Sequence, residues 1–147
     1  MIAVLNDLLY ISHQVGSQLD LVKAGGGNTS VKSADGIMYI KASGTALKAM
    51  SAERGWVAMD VNTGTVSQDN GGQQPSMEWP MHLLLPRVVI HAHAVYLNIY
   101  NCQVGGIEKL ASLLGQFEPI VISYATPGQE LATRIRQRIH GVDPILL

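Results

Sequence analysis

The run Val88-Val89-Ile90-His91-Ala92-His93-Ala94-Val95 constrains this chain more than any other segment. A short apolar stretch after Pro86-Arg87 reads as a buried strand. Side chains two apart on a strand share a face, so His91 and His93 point to one side of a sheet. Two imidazoles in such a strand carry a polar burial cost that needs a partner. Hydrogen-bonded core histidines are one solution and a divalent metal ion is another. The small Ala92 and Ala94 leave room for an ion. Neutral imidazole is a good zinc ligand, but a catalytic zinc takes about three protein ligands, so two histidines do not complete a site.

Pro75-Ser76-Met77-Glu78 precedes this run, and Glu78 stands at the mouth of an expected helix over 77–85 that ends at Pro86. Alone, such a glutamate is most often a solvated helix residue. Near a metal it would exchange a proton with a bound substrate. Ala24-Gly25-Gly26-Gly27-Asn28-Thr29-Ser30 interrupts every regular pattern. Its glycines allow positive φ and close backbone approach to a ligand, and consecutive amides can form an anion-binding nest. A flexible turn is the plainer reading. Ser43-Gly44-Thr45 and Ser76 are further small donors. No Gly-Lys-Ser/Thr follows the glycines, so this is not a P-loop. Tyr124, between an expected strand and an expected helix, is by position a packing residue with a wet hydroxyl. His13, His82 and His140 lack partners in spacing and read as structural or surface residues, while Lys41 and Lys48 read as solvated.

The 147 residues, 47% of them hydrophobic, make one domain able to bury a core. A net charge of -1 without a basic block argues against nucleic acid as a partner. Cys102 is the only cysteine, which excludes an internal disulfide and a thiolate metal cluster and fits a cytoplasmic setting. The N-terminus reads as neither a signal peptide nor a membrane span.

Periodicity predicts a helix over 2–20 whose apolar face carries Leu8, Val15 and Leu19. Strands follow at Val31 and over 37–41, then a short helical stretch around 46–50. A hairpin spans 56–61 and 65–67 around Asn62-Thr63-Gly64, with a polar loop to Gln74. Helices are expected from 96 to 101 and from 107 to 114, and a strand over 119–123. Thr126-Pro127-Gly128-Gln129 has capping-box spacing with proline at the first helical position, opening a helix to about His140 with Gly141 as its stop. Mixed elements with hairpins imply an α/β chain whose sheet has antiparallel pairing and is covered by helices.

Five motifs occur in order: Gly27-Asn28-Thr29-Ser30, Lys41-Ala42-Ser43-Gly44, Pro75-Ser76-Met77-Glu78, His91-Ala92-His93 and Tyr124-Ala125-Thr126-Pro127-Gly128. Together they resemble the class II aldolase/adducin superfamily over nearly the whole chain. The wording around the glycines and Lys41 is most similar to the rhamnulose-1-phosphate aldolase type. The resemblance implies an α/β/α three-layer fold with a largely antiparallel central sheet, in a homo-oligomer such as a tetramer. It implies a Zn2+ or other divalent ion on His91 and His93, with Glu78 as the acid/base. Asn28, Thr29, Ser43, Gly44 and Ser76 would bind the phosphate of a sugar-phosphate substrate. Tyr124 would serve a neighbouring subunit by protonating the aldehyde oxygen. The implied reaction is cleavage of a ketose 1-phosphate to dihydroxyacetone phosphate and an aldehyde. Related epimerases, dehydratases and decarboxylases are not separated by these motifs, and a non-catalytic adducin-like module, which keeps the fold without complete metal chemistry, is the alternative for a chain lacking the third metal histidine.

Two departures accompany the resemblance. Met77 stands where many aldolases have a second serine. The family's third zinc histidine lies on a strand that here would begin at Ile145-Leu146-Leu147, so the expectation is a chain lacking its C-terminal strand and helix and holding zinc weakly.

Overall fold

The computed structural model describes residues 2–139 and Leu146. Five strands, β1 (Asn28–Lys32), β2 (Ile37–Lys41), β3 (Trp56–Asp60), β4 (Val66–Asp69) and β5 (Val88–His91), form one sheet in the order β4-β3-β2-β1-β5. Every neighbouring pair is antiparallel.

Strand alternation divides the sheet into two apolar faces. Val31, Tyr39, Trp56 and Ala58 pack under α1 (Ile2–Gly16) with Leu8 and Val15. Met38, Ile40, Val57 and Met59 form the other face, against Trp79 and Leu83 of α2 (Trp79–Leu84). α2 in turn packs through Met81 on Ala132 and Ile135 of α5 (Gln129–Arg136). The result is a helix layer on each side of an antiparallel sheet, as the sequence implies. α3 (Val95–Asn101) and α4 (Gly106–Leu113) follow β5. Among the described residues no helix is long and apolar enough to cross a membrane.

Several expected boundaries move. α1 ends at Gly16, and Leu19, expected on its apolar face, is exposed. A Cβ at Gly16 would meet the Lys48 backbone nitrogen at 2.5 Å, so only glycine lets the helix end this close to the 47–49 turn. β1 begins at Asn28, which turns half of the expected glycine-rich loop into strand. The run from Val88 is not a buried strand to Val95. It is an edge strand that ends at His91, and of its residues only Val89 is buried. The expected strand over 119–123 reduces to one parallel bridge, Ile120 with Leu146.

The cap of α5 is also different. Gly128 precedes the helix, and the carboxylate of Glu130, not Gln129, accepts from the Thr126 backbone N–H at 3.2 Å. The expected helix end at His140, its stop at Gly141, and Ile145 and Leu147 of the expected closing strand lie outside the described residues.

Candidate active site

The site is assembled on the end of β1 where it meets β5. Asn28 pairs with His91 across these strands, so the two side chains emerge on one face. α2 crosses that face with Glu78 as the residue preceding its first turn. Asn28 Nδ2 donates to Glu78 Oε2 at 2.6 Å, and the same oxygen lies 3.4 Å from His91 Nε2. Residues 50 apart in sequence are thereby joined in one contact.

His91 and His93 converge although His93 lies beyond the strand. The His93 backbone N–H donates to Leu21 O at 2.9 Å, which anchors its segment to the chain after α1. The rings meet edge to face, with Nε2 atoms 3.0 Å apart. Burial is the main cause that holds His91 below the ordinary histidine pKa; Glu78 acts in the opposite sense, and His93 and Lys41 reinforce the lowering. A neutral imidazole is the form that accepts a metal ion.

Two nitrogens on one tetrahedral zinc at about 2.0–2.1 Å would stand roughly 3.3 Å from each other, so the observed convergence fits an ion at two of its positions. Among the described residues no group of three or more His, Cys, Asp or Glu is arranged to hold an ion. His91 and His93 are a pair whose ring nitrogens converge closely enough to share one cation, with Glu78 beside them.

The glycine loop is packed against this pair. A Cβ on Gly26 would lie 3.2 Å from His93 Nδ1, and one on Gly27 would lie 2.8 Å from His91 O and 2.6 Å from Val22 Cγ1. Gly27 also holds φ +67°, a left-handed conformation that disfavours any side chain. The glycines are thus required for close approach to the histidine segment.

The other small-residue loops meet nearby. Ser43 N–H donates to Gln74 O at 2.8 Å and Ser76 N–H to Lys41 O at 3.0 Å, joining the 43–44 and 75–76 segments. Ser43 and Gly44 are exposed and Ser76 is buried. Lys41 is not solvated as expected: it is 3% exposed and its ammonium donates to Gly25 O at 2.9 Å and Thr45 O at 2.7 Å. It staples the glycine loop to the Ser43-Gly44 loop. Burial lowers its pKa, partly offset by Glu78. The signal for this was the position of Lys41 at the end of an otherwise apolar strand.

Two expected site residues stand apart. Thr29 lies on the opposite face of β1, fully buried, with its hydroxyl 2.7 Å from Ser12 Oγ under α1. The structure does not bring it to the site. Tyr124 is 89% exposed and, with His91 and His93, lines a cavity of about 970 Å³ bounded by Met81, Leu131 and Ile135. Met77 is exposed, and its carbonyl oxygen would be 3.3 Å from a Cβ on Gly128, which sets the Thr126–Gly128 loop beside the start of α2.

Residues 6–147 match the family model described as class II aldolase and adducin N-terminal domain. Comparison with curated protein sequences gives no match. The chain is similar to the N-terminal class II aldolase domain of a conserved protein from Thermoplasma acidophilum, at 27% identity and a TM-score of 0.76, over 95% of this chain and 78% of that one. It is similar to an L-fuculose 1-phosphate aldolase at 28% identity and a TM-score of 0.67, over 90% of this chain and 65% of the aldolase. This chain thus spans slightly less than two thirds of that enzyme's length. A sugar-phosphate aldolase from Thermotoga maritima shares the fold at 17% identity and a TM-score of 0.66, over 91% of this chain and 78% of that one.

Proposed function

The chain belongs to the family of the class II aldolase and adducin N-terminal domain, and from that premise we propose that it is a metal-dependent lyase cleaving a ketose 1-phosphate to dihydroxyacetone phosphate and an aldehyde. The observation that carries this reading is the contact set on one carboxylate oxygen: Glu78 Oε2 is 2.6 Å from Asn28 Nδ2 and 3.4 Å from His91 Nε2.

A divalent cation on His91 and His93, when bound, would polarise the hydroxyketone oxygens and offset the negative charge that cleavage develops there. As the carbon–carbon bond breaks, the hydroxyl that becomes the aldehyde gives up its proton to solvent, and the bond's electron pair stays on the carbon beside the carbonyl. Glu78 delivers a proton to that carbon in cleavage and removes it in the reverse direction. Asn28 holds the carboxylate in one orientation, which spares the search for a reactive geometry. Ser43, Gly44 and Ser76, with Asn28, would take the phosphate group. Lys41, buried beneath the joined loops, would supply positive charge at short range. Holding the phosphate fixes the reacting carbon relative to Glu78. Tyr124, exposed at the cavity rim, would offer its hydroxyl to a neighbouring subunit of a homo-oligomer.

The test is aldol cleavage by the purified chain in the presence of zinc, with fuculose 1-phosphate and rhamnulose 1-phosphate as substrates and dihydroxyacetone phosphate release as the readout. Zinc-dependent release that disappears in Glu78→Gln supports the reading. Zinc uptake without release of either product from a range of ketose 1-phosphates would overturn it.

A further inference from the structure

Three residues of β1 make polar contacts with α2 and the residues that flank it. Asn28, Ser30 and Lys32 alternate with Thr29 and Val31, so they share the face of β1 that meets α2. Asn28 bonds Glu78, at the start of the helix. Ser30 Oγ lies 2.8 Å from His82 Nδ1, in its middle. Lys32 Nζ donates to Leu85 O and to Pro86 O, at its end. Two residues of strand advance roughly 6.6 Å and four residues of helix roughly 6 Å, so the first two contacts sit side by side without strain.

His82 is the middle contact, and the proposed chemistry leaves it unused. It is fully buried, and its Nε2 has no partner among the described residues. Burial above all, with the nearby His91 and Lys32, pushes its pKa down to about 3, so the ring is neutral at working pH. An orphaned buried nitrogen is destabilising, and a leucine or methionine would fill the same space without one. Packing therefore does not explain a histidine here. A device that sets the helix against the strand does.

We propose that His82 is a positioning residue: through Ser30 it fixes the rotation and axial position of α2 on β1, and so holds the Glu78 carboxylate on Asn28 beside His91. Its kinetic consequence rests on Glu78 being the proton carrier; its structural consequence does not. Losing the Ser30–His82 contact would let α2 shift against the sheet. The short Asn28–Glu78 bond is the first contact to lengthen.

The experiment reads the Asn28 side-chain amide by nitrogen-15 NMR in metal-free protein. In Ser30→Ala and His82→Met its hydrogen exchange accelerates about tenfold or more; the melting temperature holds in His82→Met and falls by a few degrees in Ser30→Ala, which leaves Nδ1 unpaired as well. His82→Asn, whose amide can meet Ser30 where Nδ1 does, restores exchange to within about threefold of the wild type. In the zinc-loaded protein His82→Met lowers kcat about tenfold with KM nearly unchanged. Ser30→Ala removes only a hydroxyl, and it decides the matter if His82→Met does not fold. Unchanged Asn28 exchange in a folded Ser30→Ala variant overturns the inference. Altered exchange without turnover by the wild type overturns the aldolase reading and leaves the positioning role standing.

Discussion

Asn28 and His91 stand directly opposite one another on β1 and β5, and a single oxygen of Glu78 reaches both. One side of the carboxylate is thus oriented by a neutral amide that does not titrate. The other side faces the imidazole that would hold a metal ion.

Glu78→Gln keeps a carbonyl oxygen for Asn28 Nδ2 to donate to, so the fold survives. It removes the carboxylate proposed to move the proton. Turnover falls by about 10²–10⁴-fold, while the melting temperature stays within about 3 °C of the wild type. Steady-state kinetics beside a thermal melt checks both, and unaltered turnover would remove Glu78 from the chemistry.

The proposed site predicts that zinc binds the folded chain through His91 and His93 and not the unfolded one. At a free concentration near 100 times the Kd it therefore adds about 2.7 kcal/mol to stability. Chelator treatment reverses the shift, and His91→Ala abolishes it. Differential scanning calorimetry with metal analysis reads both, and an equal shift in His91→Ala would place the ion elsewhere.

Gly27→Ala and Gly44→Ala differ in cost although both glycines have positive φ, +67° and +75°. At Gly44 no atom lies within 4 Å of the added Cβ, so only the intrinsic left-handed cost of about 1 kcal/mol applies. At Gly27 the Cβ meets His91 O at 2.8 Å, so backbone must move as well. The loss there is about 3 kcal/mol or more, and urea unfolding of the two variants ranks them.

His82 makes stability depend on pH. Its folded pKa, pushed to about 3, lies below the ordinary value near 6.5. Below pH 6.5 the unfolded chain binds a proton that the folded chain refuses, so stability falls as pH drops through that window. The slope from this one ring is about 1.4 kcal/mol per pH unit. His91, also lowered, adds in the same sense. Denaturation midpoints at pH 4.5 to 6.5 are steeper for the wild type than for His82→Met. Equal slopes would mean that His82 is not buried as a neutral ring.

Local pattern was enough for much of the architecture. Ile37–Lys41, the hairpin around Asn62-Thr63-Gly64, and helices near 79–84, 95–101 and 106–113 follow from periodicity and turn chemistry, and the structure has them within a few residues. The segment 119–123 misled because strand character in an apolar run is realised only when a neighbour pairs with it. Here the described pairing is one bridge.

Five motifs in order were enough to identify the family and the residue types of the candidate site: Asn28, Ser43, Gly44, Ser76, Glu78, His91, His93. Short-range rules reach that far because turns, strands and small-residue loops are encoded locally. Which of these residues meet follows from how the strands and helices pack. Strand register turned Asn28 toward Glu78 and Thr29 toward Ser12, since neighbours on a strand face opposite ways and one residue of slip would exchange them. Burial of Lys41 and the pairing of Ser30 with His82 were likewise set by packing between segments distant in the chain, where no local pattern records the partner.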